Sequence, residues 1–259
     1  MKSRALVVAP AVLSLFVACA EPPLARPILE STTAAAGDDP TEVAPDAVTT
    51  PAAGAREPLV VVTIFTDFQC PACPRAEGFM EALRLGWPDD VQIQYRHFPL
   101  MGSHPLAHPA GRAAAAAHRQ GGYACMARAL YRTQSLWSGT SDAALEAHVT
   151  ELAGACGLDV ARFTSDLADP RLADRVDADF DLGREAGVRG TPWVLVNGIR
   201  ANLSPRDGIQ PATLLKALVR REIREARLQL EAGAPRADIP RARLFGNLGN
   251  ASLVDRLLR

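Results

Sequence analysis

Positive charge is not in surplus in this chain: 28 Lys and Arg stand against 29 Asp and Glu among 259 residues, a formal net charge of −1. With no basic excess to neutralise a phosphate backbone, nucleic-acid binding is excluded. Lysine is nearly missing, with Lys2 and Lys216 its only occurrences, so arginine carries almost all the positive charge. That bias, like the abundance of alanine, points to no mechanism. The histidines His97, His104, His108, His118 and His148 lack metal-ligand spacing and read as surface or packing residues. The apolar run over residues 5–17, broken by Pro10 and Ser14, is too short to span a bilayer. No internal repeat is present.

What the chain does have is 48% hydrophobic residues, ample for a packed core in one large domain or two small ones. Lys2 and Arg4, the apolar run and the small residues Ala18 and Cys19 read together as an export signal over residues 1–20. Two processing routes are open. Phe16-Val17-Ala18-Cys19 resembles a bacterial lipobox, with Phe16 where Leu is usual, and would make Cys19 a lipidated N-terminus. Alternatively Ala18-Cys19-Ala20 is an ordinary A-x-A cleavage site. Either route takes the chain out of the cytosol, to the periplasm or cell envelope, where disulfides persist. Residues 21–57, rich in Ala, Pro and Thr, read as a disordered linker that cannot bury enough surface to offset its conformational entropy. As a flexible coil it would reach roughly 35 Å.

Order is expected from residue 58 to 231. Leu59-Val60-Val61-Val62-Thr63-Ile64-Phe65 is a β-branched apolar run suited to a strand buried on both faces. A helix follows over residues 71–85, opened by Pro71 and ended by Gly86 and Pro88. Its positions Cys73, Ala76, Met80 and Leu83 share one face. Cys73 is therefore expected to be buried, and Cys70, at the helix end, to be reachable. Residues 91–98 read as the next strand. A helical insert spans about residues 109–187, with helices at 110–120, 123–133, 142–155, 159–168 and 171–186 separated by Gly and Pro signals. Residues 193–196 and 199–203 form a hairpin about Asn197-Gly198, and a long helix runs from Pro211 to Gly233. Residues 232–259 form a C-terminal tail with one weak helical segment and no role legible in the sequence.

Two motifs carry chemistry. Phe65-Thr66-Asp67-Phe68-Gln69-Cys70-Pro71-Ala72-Cys73 runs from strand into a Cys-x-x-Cys pair, and Gly190-Thr191-Pro192-Trp193 places a proline just before a later strand. A cysteine at a helix N-terminus gains thiolate character from unpaired N–H groups and the helix dipole, which suits Cys70 to attack disulfides. Asp67, near the active helix, reads as a turn residue, with an effect on the thiols as the alternative. In an oxidising compartment Cys125 and Cys156, on separate helices of the insert, are expected to form a structural disulfide; two buried thiols or a second redox relay are the alternatives.

The order of these elements, with Tyr95-Arg96-His97-Phe98-Pro99-Leu100, His104-Pro105 and the Thr191-Pro192 strand, resembles the DsbA-like branch of the thioredoxin superfamily over about residues 58–230. The resemblance implies an α/β thioredoxin fold with a helical insertion, its central mixed β-sheet flanked by helices. It implies a protein thiol:disulfide oxidoreductase with Cys70, Cys73, Thr191 and Pro192 as its catalytic residues and Pro71 and Ala72 as redox-tuning ones. Its partners would be unfolded or cysteine-containing exported proteins, and a DsbB-like or quinone-linked membrane partner would recycle it. The redox-active disulfide would serve in place of any cofactor or metal, and with no dimerisation segment evident before Leu59 the protein would act as a monomer.

This chain departs from the family pattern in places. Ile64 stands where many relatives keep an acid, Pro74 removes a donor from the first helical turn, and Ala72 replaces the histidine of strongly oxidising relatives. With Ala72 there, the helix end is expected to be the main cause of Cys70 acidity, leaving that thiol less acidic than in the strongest oxidants. A disulfide oxidase is the leading reading. A reductase or isomerase is its close variant. Further alternatives are a copper or zinc carrier using the Cys pair, which lacks a third ligand nearby, a peptide-binding module that has kept only the fold, and a structural disulfide at Cys70 and Cys73.

Overall fold

The computed structural model describes residues 50–204 and 210–259. The export signal, Cys19 and the linker up to residue 49 lie outside the described residues. A five-stranded mixed sheet has the order β1-β3-β2-β4-β5, with β1 at Ala52–Gly54, β2 at Val60–Thr66, β3 at Val91–His97, β4 at Trp193–Val196 and β5 at Ile199–Ala201. The β2/β3 pair is parallel and the others are antiparallel.

Every residue of β2 is buried, which its β-branched run requires of a strand covered on both faces. Because side chains alternate across a strand, Val60, Val62 and Ile64 enter one core while Val61 and Phe65 enter another. The first core takes Cys73, Ala76, Met80 and Leu83 of α1 (Cys73–Gly86). It also takes the insert helices α2 (Ala107–His118), α3 (Tyr123–Arg132), α4 (Gln134–Trp137), α5 (Asp142–Ala155) and α6 (Val160–Leu167), and α8 (Pro211–Glu231). The second takes Leu182 of α7 (Pro170–Glu185), Leu244 of α9 (Ile239–Leu248) and Leu253, Val254 and Leu257 of α10 (Ala251–Leu257). Asn197 and Gly198, at φ 45° and 81°, close the expected hairpin. A disulfide joins Cys125 on α3 to Cys156, which caps α5, with the Cα atoms 5.8 Å apart.

Several boundaries differ from the sequence reading, the second hairpin strand ending at Ala201 among them, and three differences bear on packing. The linker does not run to residue 57, because Ala52–Gly54 pairs antiparallel with Gln92–Gln94 of β3. Backbone bonds such as Tyr95 N–H to the Pro51 carbonyl, 2.9 Å, hold that edge, and the side chains of Ala-Ala-Gly announce no strand. Gly54 is needed there: its φ is 105°, and a Cβ would stand 2.4 Å from the Val91 carbonyl oxygen. The helix read from Pro71 starts at Cys73, with residues 71 and 72 in a turn. The tail is a 3-10 turn at Arg236–Asp238 and two α-helices rather than one weak segment, and it is tied down. Leu253, Val254 and Leu257 are buried, and the Arg96 guanidinium, itself buried, donates to the Arg256 and Leu257 carbonyls at the end of α10, at 3.2 and 3.0 Å.

Candidate functional site

The loop from β2 to α1 is held by polar groups from distant parts of the chain. The buried Asp67 carboxylate accepts from the Gln69 and Cys70 N–H groups at 2.7 and 3.2 Å and from the Leu100 N–H at 2.9 Å, and it pairs with His104 Nδ1 at 2.7 Å. A residue read first as a turn former thus fixes the amide of the first cysteine. Gln69 donates to the Ser138 carbonyl and accepts from the Leu106 N–H. Gln134 Nε2 donates to the carbonyls of Phe68 and Cys70, at 2.6 and 3.1 Å. The donor that Pro74 withholds from the Cys70 carbonyl is therefore supplied by the helical insert.

The two cysteines occupy unlike environments. Cys73 has no exposed surface and Cys70 keeps 5%, so Cys70 is less open than its helix-end position suggested. The reason is the Thr191-Pro192 loop, whose peptide bond is cis and whose Thr191 carbonyl accepts from the Cys70 thiol at 3.3 Å. The four residues named as catalytic from the sequence are thus joined in one site, with Pro71 and Ala72 exposed at its rim.

A hydrogen bond from the Cys73 thiol lowers the Cys70 pKa most. Hydrogen bonds from the Thr191 side chain and from the Ala72 and Cys73 N–H groups assist, against an opposing effect of burial, and the result is about 5. The helix end contributes as expected, but the neighbouring thiol contributes more. Cys73 is pushed far above the ordinary thiol range, first by burial and then by the Cys70 thiolate. Ile64, at the position where relatives keep an acid, is buried. The polar neighbour of Cys73 is instead the Thr66 hydroxyl, which is bonded in turn to the Tyr131 hydroxyl. At neutral pH the reduced pair is therefore one nucleophilic thiolate and one thiol holding its proton. Among the described residues no three His, Cys, Asp or Glu side chains converge to hold a metal.

A dithiol at a helix N-terminus, facing a cis-proline loop on this sheet, defines a protein of the thioredoxin fold with a DsbA-like helical insertion. The chain belongs to the thioredoxin family: a family model described as Thioredoxin matches residues 46–214. A thioredoxin-like oxidoreductase from Silicibacter pomeroyi superposes with a TM-score of 0.53 at 29% identity, over 67% of this chain and 92% of that one. Wolbachia pipientis alpha-DsbA1 superposes with a TM-score of 0.58 at 14% identity, over 70% of this chain and 94% of that one, a likeness of fold. The protein named Na(+)/H(+) antiporter NhaA 3 of Salinispora tropica is 34% identical over 180 residues, covering 70% of this chain and 26% of that protein. The chain spans about a quarter of the length of the curated relatives it matches. Among the described residues no helix is long and apolar enough to cross a membrane.

Proposed function

We propose that this protein is an exported thiol:disulfide oxidoreductase that works as a disulfide oxidase on cysteine-containing exported proteins. The observation that carries the reading is the Cys70 sulfur, held between the Cys73 thiol and the Thr191 carbonyl and acidified to about 5. In the oxidised protein, a substrate thiolate attacks Cys70 Sγ. The Cys70–Cys73 bond breaks, its electron pair goes to Cys73, and Cys73 takes up a proton. A second substrate thiolate then attacks the substrate sulfur of the mixed disulfide, which forms the substrate disulfide and expels Cys70 as its stable thiolate. The low pKa makes Cys70 a good leaving group and stabilises the reduced protein, so the equilibrium favours oxidation of substrate.

The Cys70–Cys73 disulfide is the only redox group this cycle uses. A DsbB-like or quinone-linked membrane partner restores it, taking two electrons per turn while the proton held on Cys73 is released. The export signal read over residues 1–20 supports action in the periplasm or cell envelope, and lipidation of Cys19 would tether the domain to a membrane as a monomer. Equilibration of the Cys70/Cys73 couple with glutathione distinguishes oxidase from reductase. The oxidase reading expects a potential above about −180 mV, and a value below about −250 mV contradicts it.

A further inference from the structure

A groove of about 250 Å³ opens beside the Thr191-Pro192 loop, walled by α1 on one side and by β4 and β5 on the other. Arg75 and Arg200 both line it together with Trp193 and Phe79, and the remaining described lining residues carry no charge. Both arginines are exposed. The Arg200 guanidinium lies 3.6 Å from the Trp193 ring centroid, so its planar donor face is held in place and little freedom is lost when it binds a carboxylate. Trp193 Nε1, at the same wall, is buried without a hydrogen-bond partner. The first turn of α1 contains no acidic residue to offset its positive end. β5 is an edge strand of the sheet, a natural neighbour for an extended segment.

We infer that this groove selects substrate polypeptides whose reacting cysteine is flanked by acidic side chains, with Arg200 and Arg75 as the specificity-determining residues. The inference rests on the oxidoreductase reading and adds to it the chemistry of the substrate. Carboxylates beside the substrate cysteine meet the Arg200 fork and the Arg75 charge while the substrate thiolate reaches Cys70 Sγ, and the exchange of bonds is the one already described.

The test uses three dithiol peptides that differ only in flanking residues, Glu, Gln or Lys, oxidised by the disulfide form of the full chain. Each rate is divided by that of the same peptide with a small neutral disulfide, which cancels the effect of flanking charge on the peptide's own thiols. The Glu peptide is expected to react about 10-fold faster than the Lys peptide at low ionic strength, with the difference collapsing in high salt. R200E and R75E each bring the charge of this arginine pair from +2 to zero and are each expected to abolish the preference. Arg75 lies exposed on a helix surface, so R75E keeps the test decisive if R200E fails to fold. Equal normalised rates for all three peptides with the wild-type chain, or an order unchanged in R75E, overturn the inference and leave the oxidoreductase reading standing. Failure of all three peptides, the Gln peptide included, overturns both.

Discussion

Replacing Cys73 with alanine removes the largest single contribution to the acidity of Cys70, the hydrogen bond from the neighbouring thiol. A hydrogen bond to a charged acceptor contributes about 1.5–3 kcal/mol. At about 1.4 kcal/mol per pKa unit, its loss moves Cys70 up by about 1–2 units. The Thr191 side chain and the N–H groups of Ala72 and Cys73 remain in Cys73→Ala, so the thiol settles between about 6 and 7 and does not return to its ordinary value. Cys73→Ser restores a donor at the same place and is expected to stay near about 5. The pH dependence of thiolate ultraviolet absorbance, checked by alkylation rates with iodoacetamide, reads both variants. A Cys73→Ala titration indistinguishable from wild type would show that the backbone alone sets the acidity. One returning to the ordinary thiol range would show that the helix end and Thr191 contribute nothing.

Three further outcomes concern stability. Arg96 and Asp179 form a buried pair at 3.0 Å, and Arg96→Met removes one partner together with the bonds to the end of α10. Asp179 keeps Arg175 at 2.6 Å, so the loss is expected near the lower end for buried pairs, about 3 kcal/mol by urea denaturation. A change under about 1 kcal/mol would refute the role given to Arg96. The Cys125–Cys156 bond links residues 31 apart, and replacing both by alanine is expected to cost about 3–4 kcal/mol in unfolding while leaving the Cys70 pKa in place. Glu77 on α1 is pushed up to about 7, chiefly by burial. A raised carboxyl pKa stabilises the fold below the unfolded value, and that contribution is lost as pH rises through about 7. His97 and His118, lowered to about 4 by burial, act in the opposite sense, their contribution falling away as pH drops from about 6.5 toward 4. The Glu77 effect is therefore read as a difference: Glu77→Gln is expected to gain stability relative to wild type between pH 4.5 and 8, and parallel profiles would contradict the assignment.

The chemistry was legible because it is local. Cys70 and Cys73 sit in one nine-residue stretch, Thr191-Pro192 in another, and the strand run of Val60–Thr66 and the face of α1 follow from periodicity. The family resemblance joined the two stretches. What sequence did not show is the polar scaffold beneath them. Gln134 and the Cys70 carbonyl are 64 residues apart, and Arg96 and the Leu257 carbonyl 161. Single polar residues with remote partners leave no periodic signal. The edge strand at Ala52–Gly54 escaped because backbone pairing, and no side chain, makes it a strand. In the tail, Leu253, Val254 and Leu257 showed only a weak helix; their burial depends on a sheet face visible once the fold is assembled.

The central claim is that Cys70 is a poised nucleophile that exchanges bonds with protein cysteines, and covalent capture tests it most directly. Reduced Cys73→Ser protein, incubated at neutral pH with a polypeptide bearing one disulfide, cannot resolve the adduct it forms. The account predicts a mixed disulfide that accumulates and maps by mass spectrometry to Cys70. No adduct, with Cys70 alkylated no faster than an ordinary surface thiol, would contradict it.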